Sequence, residues 1–178
     1  MKPLLIVLSL SLFSSSSSKK IFSFSSKTDI KEWRIVNDGV MGGISKSSMT
    51  LNEAGNGQFS GHVSLANNGG FASVQLTNSV TLDAQKKYIV IRIKGDGKNY
   101  EFRLKSNVSQ QESYVHSFST TGEWEEIKLS IDAFYPQFRG QKLKSPNFNF
   151  SKIEVLSFLI ANKEEEDFTL LIDWIGFE

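Results

Sequence analysis

The sequence predicts a single all-β domain, an antiparallel sandwich, and three observations carry that prediction. Apolar and polar residues alternate with period two over most of the chain after Ile21, as in strands with one buried and one solvated face. Clusters of Gly, Asn, Asp and Ser separate the alternating runs at short intervals, and these residues favour tight turns. No window of a dozen residues holds a 3.6-residue apolar period, so nothing longer than a turn of helix is expected.

Taken in order, residues 1–18 stand apart. Met1-Lys2 gives a positive start, Leu4 to Phe13 is an apolar run broken only by serines, and Ser14 to Ser18 supplies small residues for cleavage. That three-part form predicts a signal peptide and export to a periplasmic or extracellular space, with a mitochondrial destination as the alternative. The run is too short for a bilayer span, which needs about 20 residues, so no stable transmembrane anchor is expected. Residues 19–178 are then the domain.

Ile21, Phe22 and Phe24 open a short apolar segment. Phe59, Gly61, Val63 and Leu65 share one parity and predict a strand. Ile89, Ile91 and Ile93 alternate with Val90, Arg92 and Lys94, and Tyr100, Phe102 and Leu104 alternate with Glu101, Arg103 and Lys105. The Asp96-Gly97 pair between those two runs predicts a hairpin, because Gly accepts the positive φ of such turns. Ile127, Leu129 and Ile131 continue the pattern, and a turn of helix is expected near Asp132-Ala133-Phe134. Residues 153–161 and 168–177 are apolar on both parities. They read as central strands covered on both faces, or else as a partner surface. The run Lys163 to Asp167 reads as a charged hairpin loop, a solvated tip. Roughly ten short strands in all fit a sandwich or barrel.

Composition removes several chemistries. The chain of 178 residues has no Cys, two His, and a net charge of +1 from 20 Lys+Arg against 19 Asp+Glu. Disulfides, thiolate metal sites and cysteine nucleophiles are ruled out. A near-neutral balance argues against nucleic acid held by a broad basic surface. Neither GxxxxGK[ST], GxGxxG nor a GxSxG elbow is present.

Two stretches remain, and both are loops. Residues 33–45 include Asn37-Asp38-Gly39-Val40-Met41-Gly42-Gly43, and residues 67–74 begin Asn67-Asn68-Gly69-Gly70-Phe71. Paired glycines predict special backbone angles or close approach, and Asn and Asp can bond nearby main chain. The two loops are expected to lie together as one structured surface. Asp38 suits either a turn-forming role, bonding the Gly39 to Met41 amides, or contact with a cation or ligand.

With Phe59-Ser60-Gly61, Lys94-Gly95-Asp96-Gly97, Trp124, Phe134-Tyr135-Pro136, Phe138-Arg139-Gly140 and Ile172-Asp173-Trp174-Ile175, these loops carry a resemblance in the right order. The chain resembles the complex I intermediate-associated protein 30 family over Phe22 to Phe177. The resemblance implies a galactose-binding-domain-like jelly roll. It also implies a non-enzymatic, chaperone-like assembly module for respiratory complex I (NADH:ubiquinone oxidoreductase) that binds an unfolded or unassembled protein client. An exported carbohydrate-binding module, taking a glycan, is the alternative. No cofactor, metal or catalytic residue is implied. The binding candidates are Asn37, Asp38, Met41, Gly42, Gly43, Asn67, Asn68, Gly69 and Gly70.

Outside the loops, Asp96 reads as a turn former and Asp173 as a buried acid paired with Arg103 or Arg139. His62 and His116 read as satisfied strand histidines. Trp33, Trp124, Trp174 and Tyr135 are rings that suit either sugar stacking or the core, and the parity of Trp174 with Phe168, Leu170 and Ile172 places that one in the core.

Overall fold

The computed structural model describes residues 19–178; the leader lies outside them. Thirteen strands form among the described residues: β1 (Lys19–Ser23), β2 (Trp33–Ile35), β3 (Lys46–Leu51), β4 (Gly57–Val63), β5 (Ala72–Thr81), β6 (Tyr88–Lys94), β7 (Asn99–Lys105), β8 (Ser113–Ser119), β9 (Trp124–Ser130), β10 (Tyr135–Phe138), β11 (Gln141–Lys142), β12 (Lys152–Ile160) and β13 (Glu166–Phe177). The excess over the strands read from the pattern comes from pieces of two to five residues, such as β2 and β11, too short to display alternation. Single 3-10 turns at Ile30–Glu32, Asp38–Met41, Ala66–Asn68 and Ile131–Ala133 are the helical content of the described residues.

All pairings are antiparallel. One sheet runs β3-β4-β13-β6-β9, with β1 also on β13, and the other runs β11-β10-β8-β7-β12-β5-β2. This is the jelly-roll sandwich that the alternation and the resemblance imply. The doubly apolar strands sit centrally: β12 lies between β5 and β7, and β13 has β6 on one side and β4 followed by β1 on the other.

The core forms between the facing sheets from the residues that share parity. Ile89, Ile91 and Ile93 meet Tyr100, Phe102 and Leu104, Phe59 and Phe168, and all are buried. The Asp96-Gly97 turn joins β6 to β7 with Gly97 at φ +85°. The two strands lie in opposite sheets and do not pair, so the chain crosses the sandwich here and the expected hairpin does not form. Alternation and a turn signal are the same for either connection. Asp96 does form that turn. Its carboxylate accepts from Lys98 N–H at 3.3 Å, Tyr100 Oη–H at 2.9 Å and Thr169 N–H at 2.9 Å.

Parity misleads at Trp174. Ile172 opposes Ile93, but Trp174 opposes Arg92, so Asp173 is an extra residue, a β-bulge that reverses the inward set. Phe168, Leu170 and Ile172 face the core before it, and Ile175 and Phe177 after it. Trp174 is buried on the outer side instead, beneath Lys20 Nζ, 5.2 Å from its ring. Asp173 is half-buried and pairs with neither Arg103 nor Arg139. Its partner is Arg92, with Nε at 2.9 Å. Arg103 bonds Glu101 and Gln137, and Arg139 lies over Phe138.

The strand expected through Leu65 stops at Val63, and Leu65 is 44% exposed. The run Lys163 to Asp167 is no hairpin loop, since β12 and β13 lie in opposite sheets, and it is more than a solvated tip. It supplies the first two residues of β13, and Glu165 and Asp167 flank His62.

Candidate functional site: the paired glycine-rich loops

The two loops meet at one end of the sandwich through a single carboxylate. Asp38 is 1% exposed. Its Oδ1 accepts from Ser45 N–H at 3.1 Å, and its Oδ2 accepts from Ser45 Oγ–H at 2.5 Å, Gly70 N–H at 2.8 Å and Phe71 N–H at 3.3 Å. Ser45 Oγ in turn accepts from Ser64 N–H at 2.9 Å. One side chain therefore ties the loop after β2, the start of β3, the end of β4 and the start of β5. Asp38 is a turn former, as one of its two readings has it, but its partners are Ser45, Gly70 and Phe71 in place of the Gly39 to Met41 amides. Burial alone pushes its carboxyl pKa up. The Ser45 hydroxyl and the Gly70, Phe71 and Ser45 N–H groups outweigh that and hold it below the usual carboxylate range.

Asn37 is a second strut. Its Oδ1 accepts from Ser47 Oγ–H at 2.8 Å and Ser73 N–H at 3.2 Å, and its Nδ2 donates to Ser45 C=O at 3.4 Å. Gly42 caps the 3-10 turn at φ +91°. A Cβ on Gly43 would sit 2.4 Å from the Asp38 carboxyl carbon, so the carboxylate occupies space that any other residue would fill. Asn67 and Asn68 both take positive φ, 56° and 59°, and carry the chain round to Gly69 and Gly70. Their side chains are exposed.

Above this network the loops present apolar side chains to solvent. Val40 is 81%, Met41 58%, Ile44 53% and Leu65 44% exposed. Beside them an open groove of about 590 Å³ runs along β2, lined by Arg34, Ile35, Val36, Asn37, Gly39, Val40 and Ser45. The structure thus gathers all nine candidate residues at one end of the sandwich. Sequence reading missed Ser45 as a partner of Asp38 and Ser64 as the partner of Ser45, and Ile44 and Leu65 as exposed apolar groups. An isolated serine next to a strand end gives no signal, and Leu65 continued an unbroken alternation.

The other candidates do not join this surface. Trp33 is buried against Phe22, Phe24 and Phe158, with its indole N–H unpartnered among the described residues. Trp124 and Tyr135 lie in different sheets, under Arg92 and Lys142 respectively. The four rings therefore form no shared platform for a sugar. His116 packs against Phe134 at 5.2 Å between ring centres. His62 is exposed, with Nδ1 2.8 Å from Asp167 and Nε2 3.4 Å from Glu165. Those carboxylates raise its pKa, Asp167 more than Glu165.

A family model for complex I intermediate-associated protein 30 matches residues 22–172. The chain belongs to the complex I intermediate-associated protein 30 family. Curated relatives include the probable mitochondrial complex I intermediate-associated protein 30 of Caenorhabditis briggsae, 25% identical over 87% of this chain and 52% of that protein. Its counterpart in Caenorhabditis elegans is 22% identical over the same shares. This family member thus spans about half the length of the relatives it matches. Among solved structures, the family 11 carbohydrate-binding module of a Clostridium thermocellum cellulosomal cellulase superposes with a TM-score of 0.64. It is 17% identical, over 92% of this chain and 96% of that one. A family 29 carbohydrate-binding module gives a TM-score of 0.55 at 12% identity, over 90% and 91%. At such identities the likeness shows a common fold alone.

Proposed function

We propose that this member of the complex I intermediate-associated protein 30 family is a non-enzymatic, chaperone-like binding module. It recognises a protein client, with unassembled respiratory-complex subunits as the client class. The observation that carries the reading is the exposed Val40, Met41, Ile44 and Leu65 set, held over the buried Asp38 network. Exposed apolar side chains clustered on rigid backbone are a feature of protein-binding surfaces, and Met41 adapts to varied partners. Family membership supports the same reading.

Affinity capture from solubilised native membranes, with wild-type and Met41→Ala baits read by mass spectrometry, tests it. Capture of a defined client by wild type and its loss with Met41→Ala is expected. A glycan array run on the same proteins covers the second reading, an exported carbohydrate-binding module, which rests on the shared fold of the solved modules. A glycan that binds while no client is captured would put that reading first. Destination divides the two as well: the nematode relatives are named mitochondrial, whereas the leader pattern reads as an export signal. Fractionation with N-terminal sequencing of native material separates these.

A further inference from the structure

The groove beside the loops has a feature that apolar contact alone does not use. Val36 N–H donates to Ser73 C=O at 2.9 Å, and Arg34 opposes Gln75. In an antiparallel pair, main-chain groups point toward the partner at alternate residues. Arg34 and Val36 therefore face β5, and Ile35 turns its N–H and C=O the other way. Among the described residues β2 is the last strand of its sheet, so those two groups point off its open edge, and Ile35 lines the groove. Val40 forms an apolar wall. Among the described residues, the one charged side chain lining the groove is that of Arg34, exposed on the sheet face beside Gln75. The nearby acid, Asp38, is buried and fully bonded.

We propose that this groove takes an extended segment of the client as an added strand on β2. This rests on the protein-client reading above and names the kind of segment involved. Ile35 supplies one main-chain donor and one acceptor. Val40 contacts an apolar side chain, and Arg34 receives a carboxylate on the outward parity. Strand addition draws affinity from main-chain bonds and selectivity from alternate side chains. A lone cation at the groove selects acidic over basic segments. Beyond Asn37 the edge is closed by Ser45 and Ser47 of the adjoining chain, which limits the added strand to a few residues.

The probe is a fluorescein-labelled eight-residue peptide that alternates valine with threonine, one threonine replaced by aspartate. A second version carries lysine in place of the aspartate. Fluorescence anisotropy should show saturable binding of the acidic peptide to the wild-type chain, and much weaker binding of the basic one. Arg34→Glu should invert that preference, and because Arg34 is exposed it leaves the fold intact. Ile35→Pro removes the outward N–H without removing a bond to β5, a position where an edge strand tolerates proline. It should weaken the acidic peptide by about tenfold, the loss of one good hydrogen bond. No saturable binding by wild type, or an unchanged preference in Arg34→Glu, overturns the proposal. Equal binding by a folded Ile35→Pro overturns it too. If membrane capture of a client stays sensitive to Met41→Ala while the peptides fail, the client reading stands and strand addition falls. If capture fails as well, both fall.

Discussion

Asp38 Oδ2 accepts the Gly70 N–H at 2.8 Å across a separation of 32 residues, and that bond makes two loops one surface. Each loop alone is glycine-rich and would lose much backbone entropy on ordering. A buried carboxylate, for its part, needs several donors to be tolerated away from water. Each solves the other's difficulty.

Replacing Asp38 with Ala should therefore be among the more damaging single changes outside the hydrophobic core. It strands the Ser45, Gly70 and Phe71 donors, a loss of about 2–4 kcal/mol. Chemical denaturation of wild type and variant checks it. A change under about 0.5 kcal/mol, the usual range for surface sites, would show that the network contributes nothing.

The same carboxylate sets an acid limit. Its folded-state pKa lies below the unfolded value near 3.8, so its contribution is fully present above that value and is lost as pH falls through the folded one. Melting temperature followed from pH 6 downward should drop more steeply below about pH 4 in wild type than in Asp38→Asn. Parallel curves for the two proteins would count against this.

Gly43→Ala and Met41→Ala should separate architecture from recognition. The alanine methyl at 43 would collide with the Asp38 carboxyl group, at a cost of about 1–3 kcal/mol. Met41 is 58% exposed, so its truncation should leave stability within about 0.5 kcal/mol while weakening client capture. Thermal melts paired with capture yield distinguish the two.

His62 should titrate above its ordinary pKa of 6.5, because Asp167 and Glu165 stabilise the imidazolium. A raised folded pKa means that its contribution is present below 6.5 and fades as pH rises through the folded value. Proton NMR of the ring through pH 5–9 reads it directly. Asp167→Asn should move the midpoint back toward 6.5, and an unmoved midpoint would rule out that partner.

Much of the fold was legible because alternation encodes burial directly: Ile89, Ile91, Ile93, Phe102 and Leu104 were inward by pattern and are inward in fact. The failures have local causes. Asp173 inserts one residue and reverses the parity of everything after it, which hid the outer placement of Trp174. Leu65 kept the alternation although the strand had ended. In the site, the glycine pairs announced unusual backbone, but which carboxylate oxygen met which N–H depends on contacts between distant segments. No local spacing records that Asp38 would reach Ser45, Gly70 and Phe71.

The bulge at Asp173 also constrains how this strand can change in evolution. Deleting that one residue would make the ladder continuous, with Trp174 following Ile172 and still opposite Arg92, and Ile175 and Phe177 still facing the core. What the deletion would remove is the Arg92 ion pair and the Asp173 C=O that accepts the Phe24 N–H. Length in β13 is thus free at the bulge and coupled to side-chain identity away from it, because a residue lost or gained at any other point in the strand turns one part of its inward set outward. Unaccompanied insertions and deletions within β13 should therefore fall at the bulge, while the loop between β12 and β13 remains free to vary in length.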